Sequence, residues 1–173
     1  TSRGLGDVYK RQLFFNTEVE GLDQVAVRKA IAMAVDYDQV ISSAMSGQSP
    51  TFADVPRSVM NPTDAEQAMV DQDALKEYQW SNADVEGAKK LLDDAGIVDT
   101  DGDGIREIDG QNINLHYVSY ENRLLNDFSN AHIQYLAEIG IGCTADYGSS
   151  DDQWSKLAAG DYDFNNNNWI TVG

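Results

Sequence analysis

The segment that most constrains the fold is residues 22–41, LDQVAVRKAIAMAVDYDQVI. Four small or branched apolar residues recur in it at the helical spacing i, i+3, i+4 and i+7. They are Val27, Ala30, Ile31 and Ala34. Asp36 then interrupts the pattern and can start a second helix, because its carboxylate can accept backbone N–H bonds as an N-cap. The segment therefore predicts a tightly packed helix, followed by a second helix that leaves it at an angle.

Helical and strand patterns alternate along the rest of the chain. Predicted helices cover residues 84–95, 124–139 and 151–159, and predicted strands cover residues 13–17, 113–118 and 142–147. In the last of these helices, Trp154 and Leu157 are the apolar residues. Residues 48–78 show no sustained period and are interpreted as a long loop. The alternation predicts an α/β lobe with a mixed sheet.

Composition and charge exclude several classes of protein. With 173 residues, of which 42% are hydrophobic, the chain is long enough for one domain with a sizeable core. A net charge of −17 argues against nucleic acid as a partner, because phosphate binding needs a basic face. No apolar run reaches the roughly 18 residues of a membrane-spanning helix. Because Cys143 is the single cysteine, the chain has no internal disulfide and no multi-cysteine zinc site.

An acidic loop, DTDGDGIREIDG at residues 99–110, has the spacing of a calcium-binding loop. The candidate ligands are Asp99, Asp101, Asp103, the backbone carbonyl of Ile105, and Glu107 acting directly or through water. Gly104 stands where the sharp turn needs glycine, but Gly110 replaces the bidentate glutamate that closes such loops. Two interpretations stay open. The loop is either a weak structural calcium site or an Asp/Gly turn that leads into the next strand.

Five motifs follow one another in a recognisable order. They are VRKAIAMAVDYDQVI, AKKLLDDAG, DGDGIRE, the Gly-Ile-Gly step at residues 140–142, and GDYD followed by Trp169. Together they resemble the C-terminal lobe of the family 5 extracellular solute-binding proteins. These are the peptide-, oligosaccharide- and nickel-binding components of ABC importers. The resemblance covers residues 13–173.

The N-terminal residues stand apart from this resemblance. Residues 7–12, DVYKRQ, look like the translation of a transposase mosaic-end adapter used in sequencing libraries. We therefore expect residues 1–12 to be a disordered artefact and residues 13–173 to be a truncated second lobe.

The resemblance implies a two-lobed, clamshell-like periplasmic-binding-protein fold, of which this chain is an incomplete part. The implied function is to bind a peptide-like or other polar solute and to deliver it to the permease subunits of an ABC importer. The partners would be that solute, the permease and the missing N-terminal lobe of the same protein. The implied location is extracytoplasmic, either periplasmic or as a cell-surface lipoprotein, with no signal peptide in this fragment.

The resemblance also implies which residues meet the ligand. Trp169 corresponds to an aromatic wall of the cleft, and Asn166 and Asn168 precede it as candidate hydrogen-bonding residues. Asn16 could face the same cleft. For the asparagines, the alternative is a structural role, in which they bond the backbone or form a plain polar strand. Val172 stands where oligopeptide-binding branches carry an acidic residue, which argues against a ligand held by a free α-amine at that position.

The sequence bears on two functions from other classes. An enzyme is disfavoured, because the chain has no G-x-S-x-G elbow, no Cys–His pairing and no phosphate-binding loop. A calcium-dependent structural or adhesion module could be built on residues 99–107, but it would need a second such loop, and the sequence has none. We expect no required cofactor, with structural calcium as the one candidate ion.

Overall fold

A four-stranded mixed sheet organises the molecule, which a computed structural model describes over residues 10–43, 71–75 and 83–169. The helices are α1 (Val25–Ala34), α2 (Tyr37–Ser43), α3 (Gln72–Leu75), α4 (Val85–Asp94), α5 (Arg123–Glu138) and α6 (Ser150–Ala159). The strands are β1 (Lys10–Phe15), β2 (Glu107–Ile108), β3 (Gln111–Asn112), β4 (Asn114–Tyr120), β5 (Gly142–Gly148) and β6 (Phe164–Trp169). Strands β2 and β3 form a separate small hairpin.

The main sheet has the strand order β1-β6-β4-β5. Strand β4 runs parallel to both β5 and β6, whereas β1 is antiparallel to β6. We call the edge where β4, β5 and β6 end the carboxyl edge. The opposite edge, where these strands begin and β1 ends, is the amino edge. The predicted α/β fold with a mixed sheet is confirmed.

One face of the sheet carries the main apolar core. All four residues that the helical spacing of α1 singles out are fully buried. They pack in one cluster with residues of α4, α5 and the sheet, among them Leu92, Leu136, Tyr117 and Phe164. The ring of Phe164 meets the ring of Tyr117 edge-on, with centroids 4.5 Å apart. The helix predicted from residues 22–41 is therefore the centre of this layer.

Helix α6 covers the other face. Side chains alternate between the two faces along a strand. Asp146 pairs in register with Val118, one residue after Tyr117, so Asp146 lies on the face opposite the main core. Lys156 of α6 forms an ion pair with Asp146 and thereby ties the helix to that face.

Short polar residues start three of the helices. The Asp36 carboxylate accepts the Gln39 N–H at 2.9 Å, as predicted for the start of α2. Asp84 accepts the Gly87 N–H at 2.8 Å and caps α4, and a Cβ atom at Gly87 would lie 2.2 Å from the same carboxylate. Ser149 caps α6 through the Asp152 N–H. Each cap satisfies a backbone donor that the helix itself cannot pair.

Two predictions concern segments that the structure describes only in part. Strand β1 begins at Lys10, so it includes three residues of the stretch that the sequence analysis sets aside. The adapter origin of residues 1–12 stays a prediction, since residues 1–9 lie outside the described part. Most of the loop predicted over residues 48–78 also lies outside it, and α3 is the piece of that segment that is described.

Candidate functional site

The carboxyl edge brings together the ends of three parallel strands. Strands β4, β5 and β6 end at Tyr120, Gly148 and Trp169, and the Glu121 N–H donates to the Gly148 carbonyl at 2.8 Å. Helices α5 and α6 begin directly after β4 and β5, so both of their N-termini lie at this edge. In open α/β sheets, ligands bind outside the carboxyl ends of the strands. The topology therefore places a candidate ligand site here.

Trp154 of α6 lies close to this edge and is 52% exposed. The buried side of α6 holds Gln153, which is 4% exposed, whereas the largest apolar side chain of the helix faces solvent. An exposed aromatic ring beside a ligand edge offers an apolar wall for a solute. The composition of the chain does not indicate that Trp154 is exposed. The helical wheel gives a signal, because it places Trp154 nearest to Ala158, on the exposed side.

A buried polar layer lies under the same edge. The Ser129 hydroxyl and the Tyr147 hydroxyl lie 2.6 Å apart, and Tyr147 also donates to the Asn130 side chain. Ser119, opposite Tyr147 in register, is 1% exposed. Ser119 Oγ and Gln153 Nε2, which are near this edge, have no hydrogen-bond partner in the described part of the chain, and the same holds for His132 Nε2 and Asn165 Oδ1 elsewhere in the lobe. Such atoms are uncommon in native structures, where buried polar groups are almost always paired.

Three predicted ligand residues lie on β6. The backbones of Asn166, Asn168 and Trp169 pair with β1, and Trp169 stands opposite Lys10 at the carboxyl edge. Their side chains lie outside the described part of the structure, as does all of Val172. The role of Trp169 as a cleft wall stays a prediction.

Asn16, the fourth predicted ligand residue, lies at the opposite edge. Its Nδ2 donates to the carbonyls of Tyr162 (3.1 Å) and Gly160 (3.4 Å), and its Oδ1 accepts the Glu18 N–H at 3.1 Å. Asn16 therefore bonds backbone groups, which is the structural role that the sequence leaves open as the alternative to a cleft residue. The six residues of β6, from Phe164 to Trp169, span roughly 17 Å. The structure therefore does not bring Asn16 and Trp169 together.

The acidic loop at residues 99–107 also lies at the amino edge. Arg106 anchors it there, because its N–H donates to the Gly140 carbonyl and its Nε to the Ile139 carbonyl, both at 2.8 Å. Strand β5 begins two residues later, at Gly142. The loop is therefore far from the candidate ligand edge, in keeping with the structural role expected for any ion it holds.

The carboxylates of this loop are bonded by its own donors. Asp99 accepts the N–H groups of Gly102 (2.7 Å) and Gly104 (2.9 Å), and these bonds hold the pKa of Asp99 below its usual range. Asp101 accepts the Asp103 N–H at 3.1 Å. Glu107 is buried and accepts both the N–H and the hydroxyl of Thr100. Asp99, Asp101 and Glu107 are thus bonded by donors within the loop.

The same loop has part of the geometry of a cation site. One carboxylate oxygen from each of Asp99, Asp101 and Glu107 lies within 4.8 Å of the other two. Asp103 is not in this group. Its carboxylate binds the Ile105 N–H at 2.8 Å and the Asn112 amide at 2.7 Å. Calcium prefers oxygen ligands and usually takes six to eight of them, so these three carboxylates would supply part of its coordination. Calcium at this loop, including ligation by Asp103 and Ile105, stays a prediction.

An α/β lobe whose parallel strands end at an open edge has the architecture of a ligand-binding domain. The model of the bacterial extracellular solute-binding proteins, family 5 Middle, matches residues 7–173. The chain belongs to this family, which is not a family of enzymes. Comparison with curated protein sequences gives no significant match.

Solved structures show the same fold. A periplasmic oligopeptide-binding protein of an ABC transporter from Thermotoga maritima matches with a TM-score of 0.81 at 20% identity, over 96% of this chain and 31% of its own. NikA from Brucella suis, in complex with Fe(III)-EDTA, matches at 0.70 and 25% identity, over 94% and 30%. AppA from Bacillus subtilis, in complex with a nonapeptide, matches at 0.69 and 21% identity, over 94% and 31%.

The chain spans about a third of the length of these structures. It corresponds to part of a periplasmic-binding-protein fold. Among the described residues, no helix combines the length and the apolar character needed to cross a membrane.

Proposed function

We propose that the complete protein is the substrate-binding component of an ABC importer. It would bind a peptide-like or other polar solute outside the cytoplasm, in the periplasm or as a cell-surface lipoprotein, and pass it to the permease subunits. The observation that carries this proposal is the open carboxyl edge, with Trp154 half exposed beside it. Family membership supports it, because the matched relatives include binding proteins of ABC transporters.

The ligand would bind between two lobes that close around it like a clamshell. The rest of the parent chain would supply the second lobe and close over the carboxyl edge. A ligand shifts the closing equilibrium only by its differential affinity for the closed state. Trp154, together with Trp169 at the end of β6, would contribute apolar walls, and the asparagines of β6 would contribute hydrogen bonds. Alone, this chain holds half of such a cleft and would bind weakly.

Charge at the edge bears on the class of ligand. Glu121 and Asp151 are exposed and directly follow β4 and the start of α6. Carboxylates there favour a solute that carries an ammonium group, such as a peptide, over an anionic solute. Matched structures nevertheless hold a nonapeptide, Fe(III)-EDTA and, in the Thermotoga protein, mannohexaose. Peptides, oligosaccharides and metal chelates therefore all belong in the test.

The test is a thermal melt of the complete two-lobed protein, rebuilt without residues 1–9 and keeping residues 10–12, which pair with β6. Separate pools of short peptides, oligosaccharides and chelated nickel are added. A ligand at about one hundred times its dissociation constant adds roughly 2.7 kcal/mol to the free energy of unfolding. We expect a shift with the peptide pool. A shift with sugars or nickel alone would change the ligand class, and a shift with none of the pools would contradict the proposed function.

Structural calcium in the loop at residues 99–107 is a separate proposal, supported by the three clustered carboxylates. Calcium should raise the melting temperature of the wild type and leave that of an Asp99→Asn, Asp101→Asn double variant unchanged. Equal responses of the two proteins would contradict a site in this loop. Complete unfolding of the protein by a chelator would instead favour the alternative, a calcium-dependent structural or adhesion module.

A further inference from the structure

Strand β6 has a sequence that cannot define its own position in the sheet. Residues 165–168 are four consecutive asparagines. Sliding such a strand by one residue still leaves asparagine opposite most of its former partners. Polar strands specify their register weakly, and a slip of one residue moves every side chain to the other face. Strand β6 also pairs with β4 at only two positions, Tyr117↔Phe164 and Val118↔Asn165. Groups outside the asparagine run must therefore fix the register.

Phe164 supplies the first of these groups. Its side chain is fully buried, between the ring of Tyr117 at 4.5 Å and the ring of Phe15 at 6.0 Å. This contact holds the start of β6 in the apolar core. A slip of one residue would turn Phe164 away from the core, but the contact is non-directional and provides no hydrogen bond to a neighbouring strand.

Asp163 supplies directional bonds next to Phe164. Its carboxylate accepts the His116 N–H at 2.6 Å, and its own N–H donates to the His116 carbonyl at 3.1 Å. Its carbonyl accepts the Asn16 N–H at 2.7 Å. One residue thus bonds the end of β1 and the body of β4 just before β6 begins. A slipped β6 would break these bonds together.

Asn16 extends the same arrangement. Its side-chain amide donates to the carbonyls of Tyr162 and Gly160, in the turn that leads to Asp163. We call Asn16, Asp163 and Phe164 the register latch. All three lie at the amino edge, whereas β6 ends at the carboxyl edge, roughly 17 Å away.

We propose that Asp163 is a positioning residue for the ligand edge. From the far end of β6, Asp163 fixes the register of the strand and thereby determines which asparagines, and whether Trp169, reach that edge. A slip of two residues would move Trp169 by roughly 7 Å along the strand. The effect on the ligand rests on the proposed function, whereas the effect on the register does not.

The experiment is ¹⁹F NMR of the 173-residue chain labelled with 5-fluorotryptophan. Its three tryptophans, Trp80, Trp154 and Trp169, are assigned by single Trp→Phe substitutions. In Asp163→Ala, we expect the Trp169 resonance to move or split while that of Trp154 stays in place. Asp163→Asn should keep the wild-type spectrum, because its carbonyl oxygen can still accept the His116 N–H. Asp161→Ala, an exposed change in the same turn, is the matched control and should also keep it.

Two results would overturn the proposal. One is an unchanged Trp169 resonance in folded Asp163→Ala. The other is an Asp163→Asn spectrum as altered as that of the alanine variant, because the hydrogen bond would then not be the cause. If Asp163→Ala does not fold, backbone NOEs of the wild type decide. A single set that places Asn165 opposite Val118 supports the latch, and several coexisting registers contradict it.

Ligand affinity separates this proposal from the proposed function. In the complete protein, Asp163→Ala should weaken binding of the solute found in the melting test, while Asp163→Asn restores it. A shifted Trp169 resonance with unchanged affinity would leave the register latch intact. It would contradict the placement of the ligand at the carboxyl edge.

Discussion

The two edges of the sheet differ in how their polar groups are used. At the amino edge, side chains of Asn16, Asp163 and Arg106 bond backbone groups of neighbouring strands and turns. At the carboxyl edge, three strands end beside two helix N-termini, and Trp154 faces solvent. The amino edge is closed by its own hydrogen bonds, whereas the carboxyl edge leaves groups that a ligand can use.

If the carboxyl edge is the ligand site, this difference separates the bonds that hold the lobe together from the groups that meet the ligand. A site needs groups that are not already satisfied within the protein, and such groups weaken the fold where they occur. The chain concentrates its directional bonds roughly 17 Å from the edge that it leaves open. The following predictions test that division, starting with the largest expected effect.

The amino edge should be the most sensitive to loss of packing. Phe164→Ala removes a fully buried ring and should lower the free energy of unfolding by about 3–5 kcal/mol. Urea denaturation of the 173-residue chain measures this loss. Phe14→Ala, in the half-buried neighbour on β1, is the control and should cost less. Equal losses in both variants would contradict the special position of Phe164.

Acid should weaken the packing of α5, through His132. The His132 side chain is on the fully buried side of α5, near Tyr37 and Phe128, and its Nδ1 bonds the Phe128 carbonyl. Burial lowers the pKa of His132 from 6.5 to about 4. The unfolded chain therefore binds this proton more readily, and stability is lost as the pH falls from about 6.5 towards 4. The expected loss is about 3 kcal/mol.

Denaturation at a series of pH values measures this loss. Carboxylates also titrate in acid, so the control is His132→Leu, which lacks the titrating ring. The wild type should lose more stability than this variant between pH 6.5 and 4. Parallel pH profiles would show that His132 is not the cause.

A substitution in the acidic loop should lower the free energy of unfolding and leave the carboxyl edge unchanged. Glu107→Ala removes a buried carboxylate that accepts the N–H and the hydroxyl of Thr100, and this loss should cost about 1–3 kcal/mol in calcium-free buffer. Glu86→Ala, a change in an exposed carboxylate on α4, should cost little. The NMR signal of Trp154 should be the same in both variants. A shift of that signal in Glu107→Ala alone would couple the two edges.

Trp154→Ala should have the smallest effect on stability and a large effect on binding. Because the ring is 52% exposed, the free energy of unfolding should change by no more than about 0.5 kcal/mol. In the complete protein, the melting shift caused by the ligand should fall. Val98→Ala, an exposed apolar change beside the acidic loop, should leave that shift intact. Loss of the ligand shift in both variants would contradict a specific role for Trp154.

Local patterns predicted much of the fold. The buried face of α1 and the Asp36 cap follow from spacing and from residue type within a few positions. The cap of α4 is of the same local kind, since the Asp84 carboxylate accepts the Gly87 N–H three residues later. The alternation of helices and strands predicted the α/β class, which the sheet confirms.

The site was harder to predict, because its geometry depends on distant contacts. Asp163 meets His116, which lies 47 residues away, and no short motif encodes that pair. For Asn16, the sequence leaves open both a cleft role and a backbone-bonding role, and its neighbour across the sheet decides between them. Trp154 looks like a core residue by type, and only the packing of α6 on the sheet leaves it exposed.

The most direct test of the account is amide hydrogen exchange of the complete protein, with and without the solute found in the melting experiment. If the carboxyl edge is the ligand site, protection should rise at residues 120–122 and 148–154 and at the end of β6. Exchange at Asn16 and residues 99–107 should not change. Protection confined to the amino edge, with none at the carboxyl edge, would contradict the account.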